Sequence, residues 1–578
     1  MPGFLGLIKS DICEILGGRD VETYSLFPLL EEKKCFKSAW IKRFVLNKFI
    51  GDKIFHEDES VFICTDGVIL NAVELRDKYQ ASNNFDLLKR MYASCGPLFV
   101  GELRGDFSGV IYDKVKNEWD IFTNHIGSKP TFYFYDGENG FLMFGSNLRM
   151  MVDGMRYLGY GPKLCEIGAY CLLTFGFMLS DYTLIEGIKR LSPGSVLKYS
   201  GESIEIIQYY KLSNTQYIDD SKEKILAQLD ERFKKAIRAE YDKDLEYGYR
   251  HVATLSGGMD SRTNICYGRK LGYKNILNIT FSQSNYRDEK IAKKISSEWG
   301  CDFLFYSLDN GNYLKDIDKP VTINDGLILF SGSAHDLAML SLMNWQTLGG
   351  LHTGMIGDGI LGTFLKEPRH SSKINIQSLA AYSTKLYGRI SHVVEEVFRE
   401  FPNSELFKFY NRGVNGVFNG YRVYENFTEF FSPFLHVDFL YYALKIHPEY
   451  RFKEKIYLDW IKTYCPEAVK YPWARTGLRI DAFMYWQRAF ANRAMRYARR
   501  KILGPSAKDS MNPFNYWYKT NRGLREAFET YFQENLNLLD GHSQLQKDTE
   551  LLFEDGSSVE KTQALTLLAA LKLHKLKI

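Results

Sequence analysis

The chain has 578 residues, too many for one hydrophobic core, which predicts two or three domains. Its 45% hydrophobic and 25% charged residues exclude disorder as the default, and a net charge of +4 gives no electrostatic footprint for nucleic acid or a membrane surface. Nine scattered cysteines without a Cys-x-x-Cys pair imply neither a disulfide framework nor a zinc knuckle, and reduced cytosolic thiols are expected. With no secretory leader expected and no apolar run near the roughly 18 residues of a membrane helix, the chain is placed in the cytoplasm. The sequons at Asn278 and Asn426 are then idle.

Residues 1 to about 212 are short alternating runs broken by Gly, Asp and Asn, which predicts strands joined by tight turns. Val61-Phe62-Ile63-Cys64 precedes Asp66-Gly67; Trp119 to Phe122, Thr131 to Tyr135 and Leu142 to Phe144 follow, with a helix near 85–94. From about 220 the period changes, as Leu226, Leu229, Phe233 and Ile237 recur at helical spacing. Strand and helix then alternate: His251 to Thr254, a helix after Asp260, Ile276 to Phe281, a helix around 288–299, and Phe303 to Tyr306. That rhythm predicts a parallel sheet with its ligand at the carboxyl ends of the strands. Beyond about 375 the sequence reads as helical and rich in aromatics.

Leu255-Ser256-Gly257-Gly258-Met259-Asp260-Ser261 joins the first of these strands to its helix. Strand, Ser-Gly-Gly turn and helix make a phosphate cradle: Gly257 and Gly258 let successive N–H groups face an anion, and the helix N-terminus adds partial positive charge. Ser256 and Ser261 offer hydroxyls, and Asp260 a carboxylate for the magnesium that accompanies a nucleotide. A Walker loop ends in Gly-Lys-Ser/Thr, and this one does not. A Gly-Gly turn alone is commonplace. The whole Ser-Gly-Gly-x-Asp-Ser pattern after a strand is not, and it resembles the loop of ATP pyrophosphatases, which cut ATP between the α and β phosphates.

With these residues, the chain resembles the asparagine synthetase family along nearly its whole length. Met1 to Ile8, Asp66 to Asn71 with Glu74-Leu75-Arg76, Gly105-Asp106-Phe107, Ile111-Tyr112-Asp113, Gly127 to Pro130 and Gly187 to Gly194 follow the order of the family's first-domain landmarks. Ser256 to Ser261, Asp288-Glu289, Gly354 to Leu361 and Pro433-Phe434-Leu435 follow those of its second. The resemblance implies an α/β protein. Residues 1–212 form an α+β sandwich of N-terminal-nucleophile hydrolase type, residues 213–545 a synthetase domain with a parallel sheet and a helical C-terminal part, and residues 546–578 a helical tail. It also implies that Asp260 and Asp358 hold magnesium on ATP and that Leu255, Ser256, Gly257, Gly258, Asp260, Ser261 and Gly357 line the nucleotide. The bland reading of Asp358 is a turn residue between Gly357 and Gly359.

The departures from the family pattern carry the sharper inference. The family's nucleophilic cysteine is replaced by Pro2, its oxyanion-hole asparagine by Asp66, and the aspartate that grips the glutamine amino group by Asn84. Proline has no nucleophile, and a carboxylate repels a developing oxyanion. The resemblance therefore implies a glutaminase fold without glutaminase activity. In the synthetase half the loop glutamate is Met355, which cannot act as a base. The late lysine that steadies the departing pyrophosphate has Arg475 in about its place, a catalytic candidate whose bland reading is a solvated surface arginine; Lys455 and Lys470 are weaker alternatives. Asp325 and His335, on the segment beside the carboxylate pocket, read as structural.

The expectation is an ATP- and Mg2+-dependent, AMP-forming amide ligase that does not use glutamine. Its amine is free ammonia or is carried by the substrate, as in the similar β-lactam synthetases and lasso-peptide cyclases, and its acceptor is a small molecule, peptide or sugar acid. No nucleic acid or membrane partner is expected, and a homo-oligomer is compatible with the sequence. The rival is a nucleotide-binding pseudo-enzyme that serves as an assembly or regulatory partner.

Overall fold

In the computed structural model, which describes residues 2–18, 20–370 and 374–576, the alternating N-terminal runs fold into two six-stranded antiparallel sheets. The first runs Lys189–Arg190, Phe132–Asp136, Phe141–Gly145, Gly3–Ile8, Ala39–Val45, Leu30–Phe36. The second runs Ile204–Gln208, Ser195–Tyr199, Glu118–Thr123, Gly105–Asp113, Val61–Ile69, Phe55–Glu57. Period-2 alternation sends successive side chains to opposite faces. Phe4 and Ile8 thus meet Phe62 and Cys64 between the sheets. Leu5 and Leu7 pack outward against the helices Leu148–Tyr157 and Glu166–Phe175. Val61, Ile63 and Ile69 pack outward against Ala72–Tyr79 and Asn84–Cys95. The result is a helix–sheet–sheet–helix sandwich.

Asp66-Gly67, which reads as a turn in the sequence, lies inside the strand Val61–Ile69. Gly67 has φ +107°, and a Cβ there would stand 2.0 Å from the Asp106 carbonyl oxygen of the neighbouring strand. The glycine permits a close backbone approach rather than a chain reversal.

The second half is built on a five-stranded parallel sheet in the order Asp302–Ser307, Leu277–Ser282, Arg250–Thr254, Leu348–His352, Phe430–Phe431. Met259–Lys270 and Arg287–Trp299 are the crossover helices, and the long helix Lys222–Glu246, capped by Ser221, buries Leu229, Phe233 and Ile237 against the sheet. Strand order reverses at Arg250–Thr254, so the segments leaving this strand and Leu348–His352 emerge side by side at a topological switch point.

The C-terminal segment 546–578 contains most of the helix Ser543–Glu554 and the helix Ser558–His574. The latter starts with a Ser557/Glu560 capping box and is buried along nearly its whole length. Its Gln563 donates to the Leu172 and Leu173 carbonyls at 3.1 and 2.9 Å, closing the end of a sandwich helix. Contrary to the expectation of reduced thiols throughout, Cys13 is joined to Cys35 and Cys266 to Cys465. Packing brings the α-carbons to 6.3 and 6.8 Å across 22 and 199 residues of sequence, separations that form no local motif. No helix among the described residues is long and apolar enough to cross a membrane.

Candidate functional site

The phosphate loop leaves the strand Arg250–Thr254 and enters the helix Met259–Lys270 with Gly258 as its N-cap. Its hydroxyls fold the turn: the Gly258 N–H donates to Ser256 Oγ at 3.0 Å and the Ser256 N–H to Ser261 Oγ at 3.1 Å. The Gly257 N–H donates to Asp288 Oδ1 at 2.6 Å, which ties the loop to the next crossover helix. Leu255 is buried and receives the Thr280 hydroxyl on its carbonyl. A cavity of about 370 Å3 opens over this turn, lined by Leu255, Ser256, Gly258, Asp260 and Ser261 from the loop and by Asp288, His335 and Tyr424 from its surroundings.

The neighbouring strand Leu348–His352 delivers Thr353 to Asp358 against the same loop. Two glycines permit the approach: a Cβ on Gly354 would lie 2.3 Å from the Ser261 nitrogen, and one on Gly357 would lie 2.9 Å from Asp260 Cγ. Between them Ile356 is held at φ +59°, a left-handed conformation that a β-branched residue rarely adopts. This strained turn lets the Asp358 N–H donate to Asp260 Oδ2 at 3.0 Å. The other oxygen, Oδ1, accepts the Tyr457 hydroxyl.

Both carboxyls are pushed up in pKa by desolvation, Asp260 further by the charge of Asp358, while Arg475 pulls Asp358 partly back. Neither carboxylate forms an ion pair among the described residues. Two adjacent, desolvated carboxylates, with Arg475 and Arg412 acting on Asp358 only from beyond ion-pair distance, fit a divalent cation. Met355 is buried on the cavity wall with no titratable atom to offer.

The structure therefore brings Asp260, Asp358, Gly357 and the loop Leu255 to Ser261 together. Arg475 is nearby but engaged: its guanidinium pairs with Glu454 and lies 3.8 Å above the Trp473 ring. Lys455 and Lys470 are exposed. Asp325 ties distant elements, accepting the Leu148 N–H and pairing with Arg422, each at 3.1 Å, whereas His335 lines the cavity. Sequence reading passes over Tyr457, which reaches Asp260 from 197 residues away, and the buried pair Asp336 and Tyr424, bonded at 3.0 Å. Asp288 alone left a trace, as the first residue of Asp288-Glu289.

In the sandwich domain, Pro2 is buried immediately before the strand Gly3–Ile8. Asp66 pairs with Lys129 at 3.2 Å, and Lys129 also reaches Glu429 at 2.9 Å and Glu425 at 3.4 Å in the second half. Lys53 adds a bond to Glu429 at 2.7 Å. Burial pushes Glu429 up, but Lys129 and Lys53 outweigh it and hold the carboxyl at about 2. Asn84 belongs to a different cluster, accepting from Arg76 at 2.6 Å and donating to Asp52 at 2.8 Å.

A family model described as a glutamine amidotransferase domain matches residues 51–210. A putative glutamine-hydrolysing asparagine synthetase 2 of Methanocaldococcus jannaschii is 26% identical over 47% of this chain and 54% of its own length. Asparagine synthetase 1 of Bacillus subtilis is 20% identical over 47% of this chain and 43% of its own. A probable asparagine synthetase of Acanthamoeba polyphaga mimivirus is 22% identical over 73% of this chain and 72% of its own. The chain thus spans about half the length of the first two of these relatives.

Proposed function

We propose that this chain, a member of the asparagine synthetase family, is an ATP-dependent ligase that forms an amide by way of AMP and does not draw its nitrogen from glutamine. The observation that carries the reading is the Asp260–Asp358 pair, held by a hydrogen bond of 3.0 Å at the switch point of a parallel sheet. A divalent cation there would offset the charge of the nucleotide phosphates. The chain's own residues do the rest. The Ser256–Ser261 turn and the N-terminus of the helix Met259–Lys270 receive the phosphates. A substrate carboxylate oxygen then bonds to the α-phosphorus as the bond to pyrophosphate breaks, and pyrophosphate leaves with the electron pair. An amine next bonds to the acyl carbon, AMP departs with its oxygen, and the amine loses a proton.

Met355 cannot take that proton, so the amine arrives unprotonated or loses the proton to substrate or water. For the sandwich domain we infer a scaffold: Pro2 offers no nucleophile, and Asp66 is spent on Lys129. Met355 is also what favours the second reading, a nucleotide-binding partner without turnover. Incubation with MgATP and a panel of carboxylic acids separates the two. Acid-dependent AMP supports the ligase, ADP contradicts it, and nucleotide binding without cleavage for every acid supports the second reading.

A further inference from the structure

The amphipathicity of the helix Tyr485–Leu503 is inverted. A surface helix ordinarily buries its apolar stripe and shows its charges to water. Here only Tyr485 is buried, with Ala489 packed against the same core, and the rest of the inward side is polar. Asn492 donates to the Thr476 carbonyl at 3.0 Å, Arg496 to the Arg475 carbonyl at 2.8 Å, and Arg499 pairs with Asp509. The outward side carries Trp486, Phe490 and Tyr497, whose separations of four and seven residues set them on one stripe. They are 48, 75 and 70% exposed, and Met495 and Ile502 on the adjoining stripe are 62 and 79% exposed. Among the described residues, no other segment of this length shows as many large apolar side chains to water.

Cations border this apolar side. Arg493 and Arg500, seven residues apart, follow one edge, Arg488 marks the other, and Lys501 lies near the C-terminal end. All four are exposed and form no ion pair among the described residues. No aspartate or glutamate occurs between Asp481 and Asp509. A net charge of +4 for the whole chain conceals this concentration, so the expectation of no membrane partner rests on an average that the fold undoes. A second copy would oppose like charges across a two-fold axis. A soluble polyanion would satisfy the cations and leave the aromatic stripe in water. Anionic headgroups over acyl chains match both features, because aromatic rings enter the apolar boundary while arginine and lysine stems reach back to the phosphates. We propose that the helix Tyr485–Leu503 docks this protein on an anionic lipid surface. It lies in the plane of that surface, with Trp486, Phe490 and Tyr497 inserted, since no described helix is long and apolar enough to cross. Asn492 and Arg496 hold the segment whose Arg475 acts on Asp358, so docking brings the edge of the nucleotide site to the lipid. The inference does not depend on the ligase reading.

The test sediments the full chain with sucrose-loaded vesicles, one set of phosphatidylcholine and one of phosphatidylcholine and phosphatidylglycerol in equal amounts. Partition to the anionic set is expected to exceed that to phosphatidylcholine by about tenfold or more and to fall as salt rises. Brominated acyl chains in the anionic set are expected to quench tryptophan emission, and Trp486→Phe is expected to bind and lose that quenching. Trp486→Gln, Phe490→Gln and Tyr497→Gln combined, all at exposed positions, are expected to keep the urea midpoint and lower partition at least about tenfold. If the combined variant does not fold, Phe490→Gln alone is expected to lower partition several-fold. Wild-type protein that does not sediment with anionic vesicles overturns the proposal, and so does partition that these substitutions leave unchanged. Tighter binding to soluble polyglutamate than to anionic vesicles would assign the face to an acidic partner. A dimer that the combined variant dissociates, without partition to vesicles, would assign it to a second copy. Either result also overturns the proposal.

Discussion

The main-chain N–H of Asp358 donates to Oδ2 of Asp260 at 3.0 Å, joining two loops 98 residues apart in sequence. The bond places two carboxylates side by side where neither forms an ion pair with a lysine or arginine among the described residues, and both are driven toward protonation by desolvation, Asp358 against the pull of Arg475. Such an arrangement is costly in the free protein, and the divalent cation proposed above would offset that cost.

Asp260→Ala therefore separates stability from activity. Removing one of two like charges relieves repulsion, so the Tm is expected to stay level or rise. Pyrophosphate release is expected to fall by at least about a hundredfold, the scale of losing a stabilised transition-state charge. Turnover that persists in this variant would place the nucleotide elsewhere.

Pro2→Cys alone is expected to leave the chain without glutaminase activity, even after removal of Met1. The reason is the partner of Asp66 rather than its charge alone: Lys129 holds the carboxylate at 3.2 Å within a cluster that extends to Glu429. Asp66→Asn leaves Lys129 its other two carboxylates, so the triple change Pro2→Cys, Asp66→Asn and Asn84→Asp is expected to fold. It is the smallest set with a route to activity. Glutamate released from glutamine by Pro2→Cys alone would show that Asp66 does not face the site.

The phosphate loop was legible because its chemistry is local: six consecutive residues encode turn, donors and helix start. The sheets were legible from period 2, and the βαβ units from alternation of period. What was not legible depends on distant packing. Tyr457 reaches Asp260 from a segment with no motif of its own. The same holds for the two cysteine pairs. Asp66-Gly67 misled because glycine serves close strand approach as well as turns, and only the neighbouring Asp106 carbonyl distinguishes the two.

Lys129→Met tests the junction of the two halves. It strands Asp66, Glu425 and Glu429 in the interior with Lys53 as the remaining lysine partner. Breaking a buried ion cluster on one side costs about 3–5 kcal/mol. A large fall in the urea midpoint is expected, and a variant as stable as the wild type would mean that water reaches the cluster.

His352 gives the stability a pH dependence. It lies between Asp244, at 2.8 Å from Nε2, and Glu240, at 3.7 Å from Nδ1, and stacks on Tyr241 at 3.8 Å. Burial disfavours the imidazolium, but the two carboxylates outweigh it and raise its pKa to about 9, from 6.5. A histidine raised on folding stabilises fully below its unfolded pKa and loses that contribution as pH rises through the folded value. Stability is thus expected to fall between about pH 6.5 and pH 9 by on the order of 3 kcal/mol. Glu240, raised to about 7 by burial, acts in the same direction at lower pH. Urea unfolding of His352→Gln across this range is expected to be flatter, and an unchanged slope would assign the dependence to other groups.

In the proposed reaction a substrate carboxylate attacks the α-phosphorus of ATP at the loop bearing Asp260. The most direct measurement supplies the acid that supports most AMP formation with 18O in its carboxylate, and follows the label by mass spectrometry. Adenylation followed by amide formation transfers one carboxylate oxygen to AMP, so one 18O per AMP is expected. Label appearing in inorganic phosphate, with ADP as the nucleotide product, would contradict it.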